Sequence, residues 1–179
     1  MHNVLNATAA IAAAIELQTI KLINAGDYLA KIGLFTGVKR RFDYQIIRDD
    51  LVYVDDYAHH PEEIKSIVGA LKTIYKDKKI TGVFQPHLYS RTRDFATDFA
   101  AALALLDQII LLNIYPAREK PIEGITSQYL LDLIPTKNKC LLSKQELIPY
   151  LQKNRPEVLL TIGAGDIDKL VPRIADAFL

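Results

Sequence analysis

Two stretches of the chain are apolar almost without interruption over the length of a strand. They read Q-I-I-L-L-N-I at 108–114 and V-L-L-T-I at 158–162. A strand with one face in water alternates apolar and polar residues, whereas a strand covered by helices on both faces does not. These stretches therefore predict a mostly parallel sheet that lies between two layers of helices.

The chain from residue 41 onward fits that fold. We predict strands at 42–47, 51–55, 79–85, 108–114, 138–142 and 157–162, and helices at 61–75, 91–106, 126–133, 144–152 and 166–177. This alternation is typical of a doubly wound, Rossmann-like α/β sheet, and the first two strands predict a hairpin at its edge. Residues 1–40 differ, because they predict helices at 3–23 and 27–34 with a wide apolar surface and no strand. We expect them to be the tail of a preceding domain.

Composition excludes several classes of protein. Among 179 residues, 22 Lys and Arg stand against 21 Asp and Glu, so no general positive field would hold nucleic acid or a membrane surface. Any anion site must therefore be local. A single cysteine, Cys140, excludes a disulfide framework, and we expect it to pack in the core. No apolar run reaches the length of a membrane span, and residues 1–20 lack the pattern of a signal peptide.

The motif V-F-Q-P-H-L-Y-S-R-T-R-D at 83–94 concentrates polar chemistry at the end of a predicted strand. Ligands of α/β sheets bind beyond the carboxyl ends of the strands, and this motif places His87, Arg91 and Arg93 there. Guanidinium groups and the free N–H groups of a helix start both bind carboxylates or phosphates. The alternative is that the two arginines pair with aspartates on a solvated helix face.

A second polar motif, D-D-Y-A-H-H-P at 55–61, also joins a strand to a helix. Asp56 could hold the hydroxyls of a ribose, or it could cap the helix. The adjacent His59 and His60 suggest zinc, but no third ligand has a recognisable spacing, so we expect no metal site in this chain.

Two loops follow other strands at the same edge. G-A-G-D-I at 163–167 predicts either a phosphate-binding turn or a tight turn in which Asp166 caps the next helix. Y-P-A-R-E-K-P-I-E-G at 115–124 offers Arg118 and Glu119 for ligand contacts, although a solvated loop explains them as well. The phosphate loop G-x-x-x-x-G-K-[ST] is absent.

Together with H-N-x-x-N near the start and R-R-F at 40–42, these motifs resemble the Mur ligases, and within them the branch that adds L-alanine to UDP-N-acetylmuramate. The resemblance covers essentially the whole chain. It implies that 41–179 form the C-terminal Rossmann-like domain and that 1–40 are the last helices of the central, ATP-binding domain. It also implies a cytoplasmic enzyme of peptidoglycan synthesis that uses ATP and Mg²⁺.

The resemblance also implies roles for single residues. The residues expected around L-alanine are Tyr57, His87 and Arg91. Those expected near ATP are His2, Asn3, Asn6, Arg41 and Asp56, and a second group comprises His59, Arg93 and Glu119. Leu88 stands where many members have arginine, which puts a second guanidinium contact to the amino acid in doubt. The catalytic lysine, the metal ligands and the γ-phosphate cradle are expected in the preceding domains.

The implied reaction is ATP-dependent amide formation through an acyl phosphate, and we expect the 179-residue chain alone to be inactive. Residues 1–40 should be covered by other protein surface, for example in a homodimer of the chain. Two alternatives stay open: the related recycling ligase that adds a tripeptide to the same sugar nucleotide, and a stand-alone nucleotide- or anion-binding regulatory module. A hydride-transferring enzyme is a distant third, because no G-x-G-x-x-G follows an early strand.

Overall fold

The computed structural model describes residues 2–20, 24, 26–27, 31, 34 and 37–179, of which 2–6 are described by their backbone alone. The chain divides into two compact units, Met1–Gly37 and Val38–Leu179. In the first unit helix α1 spans His2–Thr19, which begins one residue before the predicted start at 3 and ends four residues before the predicted end at 23. Most of the second predicted helix, at 27–34, lies outside the described residues. Across the described part of the chain, no helix is both long enough and apolar enough to cross a membrane.

The second unit is built on one sheet, which has six strands in the described residues. The strands are β1 (Asp43–Ile47), β2 (Val52–Asp56), β3 (Ile80–Phe84), β4 (Gln108–Leu111), β5 (Lys139–Leu141) and β6 (Val158–Ile162). Their order is β1-β2-β6-β3-β4-β5; β1 is antiparallel to β2, and the other neighbours are parallel. The predicted mostly parallel sheet with an edge hairpin is confirmed.

Two helices and one strand of this unit differ from the prediction. The helices are α2 (Pro61–Ile74), α3 (Tyr89–Asp94), α4 (Ala96–Leu103), α5 (Ser127–Leu133), α6 (Lys144–Asn154), a 3₁₀ helix (Asp166–Leu170) and α7 (Val171–Phe178). The single helix predicted at 91–106 is two helices, because the backbone leaves the helical conformation at Phe95 (φ −119°, ψ 20°). The strand predicted to reach residue 114 ends at Leu111, and the helix predicted at 166–177 begins as a 3₁₀ helix.

Side chains on the two faces of the sheet fill two separate cores. Val54 and Leu160 point into one core, and their neighbours Tyr53 and Leu159 point into the other. All four are fully buried, and burying such a side chain contributes about 1.5–3 kcal/mol. Helices therefore cover both faces, which explains why the strands are apolar throughout. Cys140 is half-buried and packs against the second core, as expected.

The strand order brings the carboxyl ends of β2, β6, β3 and β4 side by side. The three polar motifs and the loop 115–124 follow these four ends, so they share one edge of the sheet, which we call the carboxyl edge. Two cavities of about 520 and 420 Å³ lie at the opposite edge, beside residues that precede the strands, such as Leu51 and Lys79. The candidate site is therefore not one of these cavities.

Candidate functional site

His87 lies at the centre of the carboxyl edge and is held by the loop that follows β4. The Leu88 N–H donates to Tyr115 O at 3.0 Å, and the Tyr115 N–H donates to Pro86 O at 2.8 Å. The imidazole of His87 stacks on the ring of Tyr115, with centroids 5.6 Å apart and planes at 26°. The sequence did not single out Tyr115, although the loop that contains it was recognised.

Arg91 and Arg93 lie on the same short helix, α3, but in different surroundings. Arg91 is half-buried, and its Nη1 lies 3.4 Å from His87 Nδ1; within the described residues it forms no ion pair with a carboxylate. The Nε of Arg93 instead donates to Asp94 at 2.8 Å on the exposed face. The solvated-face alternative therefore holds for Arg93 and is wrong for Arg91.

The start of α3 is already occupied by an anion. The carboxylate of Glu119, in the loop after β4, accepts the N–H of Ser90 at 3.0 Å and also binds the Ser90 hydroxyl. The expectation that free N–H groups at this helix start would bind a ligand is therefore wrong. The Arg91 guanidinium, on the same helix, has no carboxylate partner among the described residues. Arg118, the other candidate in the loop, is exposed.

His87 is electrically neutral at physiological pH. Its burial lowers the pKa of the imidazole below the usual value, the charges of Arg91 and His59 lower it further, and Glu119 opposes the shift. The His59 ring lies 6.4 Å from that of His87 and 5.2 Å from that of Tyr57. Tyr57, His59, His87 and Arg91 therefore lie together at the carboxyl edge.

Asp56, at the end of β2, is buried and binds backbone N–H groups of its own domain. Its two oxygens accept the N–H of Phe42 and the N–H of Ala58, each at 2.8 Å. The helix-cap alternative is wrong, because α2 begins at Pro61 and Asp56 contacts none of its N–H groups. Burial raises the pKa of Asp56, and the two N–H bonds offset this only in part.

Asp55, one residue earlier, forms a buried ion pair that the sequence did not predict. Its Oδ2 lies 2.9 Å from Arg40 Nε, and its Oδ1 accepts the hydroxyl of Thr161 at 2.6 Å. Arg40 Nη2 also donates to Gly163 O at 2.5 Å, which ties the segment before β1 to the end of β6. Burial is the main cause that raises the pKa of Asp55, with Thr161 and Arg40 acting against it.

Arg40 and Arg41 both lie against Tyr57, with each guanidinium carbon 5.3 Å from the ring centroid. Arg40 is committed to Asp55, whereas Arg41 is exposed and forms no ion pair within the described residues. Of the two, only Arg41 has a guanidinium available to a ligand. This agrees with its predicted place beside a nucleotide, which stays a prediction.

The two glycines after β6 are required by the protein's own packing. Gly163 has a φ of +145°, and a Cβ on it would lie 2.8 Å from Gln85 O. A Cβ on Gly165 would lie 2.7 Å from Tyr115 Cγ. Asp166 is not a helix cap, since its carboxylate binds the Lys144 ammonium and accepts Gln85 Nε2 at 2.9 Å. The turn therefore supports Tyr115, and through it His87.

Three of the predicted nucleotide residues, His2, Asn3 and Asn6, have side chains outside the described part of the structure. The adjacent His59 and His60 contact different neighbours: His59 Nδ1 lies 3.1 Å from Tyr57 O, and the His60 ring packs on Phe95. Among the described residues, no group of three or more His, Cys, Asp or Glu side chains could hold a metal ion.

Comparison with known proteins shows the family. Residues 40–165 match the family model described as Mur ligase, glutamate ligase domain. The chain is 51% identical over 178 residues to the UDP-N-acetylmuramate–L-alanine ligase of Cytophaga hutchinsonii, covering 97% of this chain and 36% of that protein. The structure of the UDP-N-acetylmuramate-alanine ligase of Thermotoga maritima superposes with a TM-score of 0.76 at 28% identity, over 99% of this chain and 38% of that one.

A murein peptide ligase from Psychrobacter arcticus shares the fold, with a TM-score of 0.65 at 22% identity over 99% of this chain and 37% of that one. The chain spans a little more than a third of the length of these relatives. The match over the α/β unit and the identity over nearly the whole chain lead to one conclusion: the chain belongs to the Mur ligase family and carries its glutamate ligase domain.

Proposed function

We propose that the chain is the C-terminal part of an ATP-dependent ligase that joins L-alanine to UDP-N-acetylmuramate in peptidoglycan synthesis, and that its carboxyl edge binds the amino acid. One observation carries the site: the half-buried guanidinium of Arg91 lies beside a neutral imidazole and has no carboxylate partner in the described residues. A guanidinium in that state matches the carboxylate of a free amino acid. The identity to the Cytophaga hutchinsonii ligase supports L-alanine as that amino acid.

The neighbouring groups suit an amine nucleophile. L-Alanine is an ammonium ion at neutral pH, and its nitrogen must lose a proton before it attacks an acyl phosphate. A carboxylate on Arg91 would bring that nitrogen close to His87, whose lowered pKa keeps the imidazole unprotonated at neutral pH, so that a ring nitrogen is free to accept the proton. The second guanidinium contact found in many members would be missing, because Leu88 replaces that arginine.

The nucleotide would contact the other end of the edge. When bound, ATP supplies the phosphoryl group and Mg²⁺ shields its charge. Asp56 fits the ribose, because a carboxylate offers about four lone-pair sites and only two accept N–H groups here. Arg41 fits a phosphate, since it is exposed and forms no ion pair in the described residues. His2, Asn3 and Asn6 would lie near the adenine.

The metal ligands, the catalytic lysine and the phosphate loop would come from the preceding domains. The 179-residue chain alone should then give only background phosphate release with ATP, Mg²⁺, sugar nucleotide and L-alanine. ATP and a UDP-sugar are cytoplasmic metabolites, so the reaction would take place in the cytoplasm. Dimerisation of the chain through residues 1–40 stays a prediction.

The test compares two arginines of the same helix in the complete ligase. Arg91→Ala deletes charge-assisted hydrogen bonds worth about 1.5–3 kcal/mol, so the KM for L-alanine should rise roughly ten- to a hundredfold while the KM for ATP stays constant. Arg93→Ala is the matched control and should change neither constant, because Arg93 pairs with Asp94 at the surface. Arg91→Lys should restore only part of the affinity, since an ammonium cannot make the paired contact.

The outcomes separate the activity from the site. A wild-type ligase that accepts the tripeptide and not L-alanine would assign the chain to the recycling branch, and ligation of neither would reject the proposed activity. Alanine ligation with an unchanged alanine KM in Arg91→Ala would reject the site alone. Equal losses for alanine and ATP would instead give Arg91 a role at the phosphates.

A further inference from the structure

The contact between Glu119 and α3 joins two segments that are separate in the sequence. Glu119 Oε2 accepts the Ser90 N–H at 3.0 Å, and the Ser90 hydroxyl binds the other carboxylate oxygen, across 29 residues of sequence. Tyr89 and Ser90 are the first residues of α3, where N–H groups have no partner within the helix. A side chain from a distant loop therefore does the work of a local helix cap.

Leu88, the residue immediately before α3, has a strained backbone. Leu88 has φ +73° and ψ 136°, a conformation that residues with a side chain rarely adopt. Its N–H donates to Tyr115 O at 3.0 Å, four residues before Glu119 in the same loop. Its carbonyl accepts the N–H and the hydroxyl of Thr92. Two residues of the loop after β4 therefore bind the backbone around the start of α3: Tyr115 accepts the N–H of the strained Leu88, and Glu119 accepts the N–H of Ser90.

Helix α3 cannot fix its own direction. It has only six residues, fewer than two turns, and a helix of that length is not stable without tertiary contacts. Arg91 lies in the middle of this helix, and its Nη1 lies 3.4 Å from His87 Nδ1. The contact at the start of the helix therefore sets the place of the guanidinium at its centre.

We propose that Glu119 is a positioning residue for the amino-acid site: its carboxylate fixes the first turn of α3 and thereby places the Arg91 guanidinium beside His87. This inference rests on the proposed function, because it assumes that Arg91 binds the carboxylate of the substrate. Glu119 itself does not touch the substrate. Its negative charge also occupies the start of α3, so an amino-acid carboxylate would bind the Arg91 guanidinium and not the N–H groups of the helix start.

The protonation state of Glu119 is consistent with this role. The bonds from the Ser90 hydroxyl and N–H lower the pKa of the Glu119 carboxyl below its usual value. The carboxylate is therefore ionised throughout the neutral range and accepts both bonds there. Protonation would remove one acceptor only in acid.

The first experiment measures kinetics of the complete ligase with Glu119→Ala, Glu119→Gln and the control Glu123→Ala. Glu123 is an exposed acid of the same loop, so its removal makes a comparable change of charge. For Glu119→Ala we expect the KM for L-alanine to rise roughly five- to tenfold, with kcat and the KM for ATP unchanged. Glu119→Gln should recover part of the loss, because its amide oxygen still accepts one bond. Glu123→Ala should match wild type.

The decisive comparison combines Glu119→Ala with Arg91→Ala. If Glu119 acts only through Arg91, the double variant has the alanine KM of Arg91→Ala alone, since a guanidinium that is absent cannot be misplaced. Losses that multiply in the double variant, or a Glu119→Ala effect shared equally by ATP and alanine, would overturn the inference. So would an alanine KM that does not change in Glu119→Ala.

A spectroscopic measurement keeps this result distinct from the proposed function. In NMR spectra of the chain, Glu119→Gln should shift the Ser90 amide and the Arg91 side-chain resonance, and Glu123→Gln should shift neither. A wild-type ligase inactive with L-alanine, together with these shifts, would reject the function and keep the placement of Arg91. Unmoved Arg91 resonances would reject the positioning role whatever the enzyme's activity.

Discussion

Removing Arg40 should destabilise the α/β unit, because it would leave the Asp55 carboxylate buried without its cation. The two groups lie 2.9 Å apart, and their side chains are 20% and 1% exposed. Breaking a buried ion pair by removing one partner costs about 3–5 kcal/mol. Thr161 would still donate to Asp55, and Arg40 is partly exposed, so we place Arg40→Ala near the lower end, at about 3 kcal/mol at neutral pH.

The loss should depend on pH in a defined direction. Burial raises the pKa of Asp55 in the folded protein above that of the unfolded chain, so the folded protein binds a proton more readily between those two values. The free energy of unfolding therefore falls as pH rises through that window. Without the guanidinium, which lowers the pKa of Asp55, the folded-state pKa rises further and the window extends toward neutral pH. The gap between Arg40→Ala and wild type should thus narrow on acidification.

The assay is urea unfolding at pH 7.5 and at pH 5, with wild type, Arg40→Ala, Asp55→Asn and the double variant. The double variant should be more stable than Arg40→Ala at pH 7.5, because its buried amide carries no charge. Unlike Arg40→Ala, the double variant should not gain stability relative to wild type on acidification, because it has no carboxyl group at position 55 to protonate. Two results would refute the reasoning. One is equal stability of Arg40→Ala and the double variant at pH 7.5. The other is a difference in free energy of unfolding between Arg40→Ala and wild type that is as large at pH 5 as at pH 7.5.

Two further predictions concern the support and the charge of His87. Gly165→Ala should lower the free energy of unfolding by about 1–3 kcal/mol, because its Cβ would lie 2.7 Å from Tyr115 Cγ. Gly69→Ala is the control: a Cβ there meets nothing within 4 Å, so this variant should raise the free energy of unfolding by about 0.4–1 kcal/mol. Equal effects of the two substitutions in chemical unfolding would contradict the packing at Gly165. By NMR titration His87 should have a pKa below the usual value for histidine. In Arg91→Ala the pKa of His87 should rise but remain below that value, because burial is the larger cause of the shift. An unchanged pKa in Arg91→Ala would mean that the guanidinium does not lie beside His87.

Local patterns determined most of the fold. Apolar runs such as 158–162 predicted strands that helices cover on both faces. Successive residues of a strand point to opposite faces, so a strand buried on both faces has an apolar residue at nearly every position. The polar motifs could be assigned to the carboxyl edge for a similar reason: each follows the end of a strand, and parallel strands end at one edge. Boundaries such as the break at Phe95 were missed, since short breaks leave no mark on periodicity.

The partners of individual charges were decided only by the tertiary structure. Arg40 and Arg41 are adjacent in the sequence and have identical side chains. Arg91 and Arg93 also have identical side chains and lie only two residues apart. The position of β6 between β2 and β3 gives Arg40 both Asp55 and Gly163 as partners, while Arg41 remains exposed. Sequence determines which residues reach the carboxyl edge, because that depends on neighbours along the chain. Which guanidinium stays available for a ligand depends on contacts between segments far apart in sequence, and only the packed sheet brings those together.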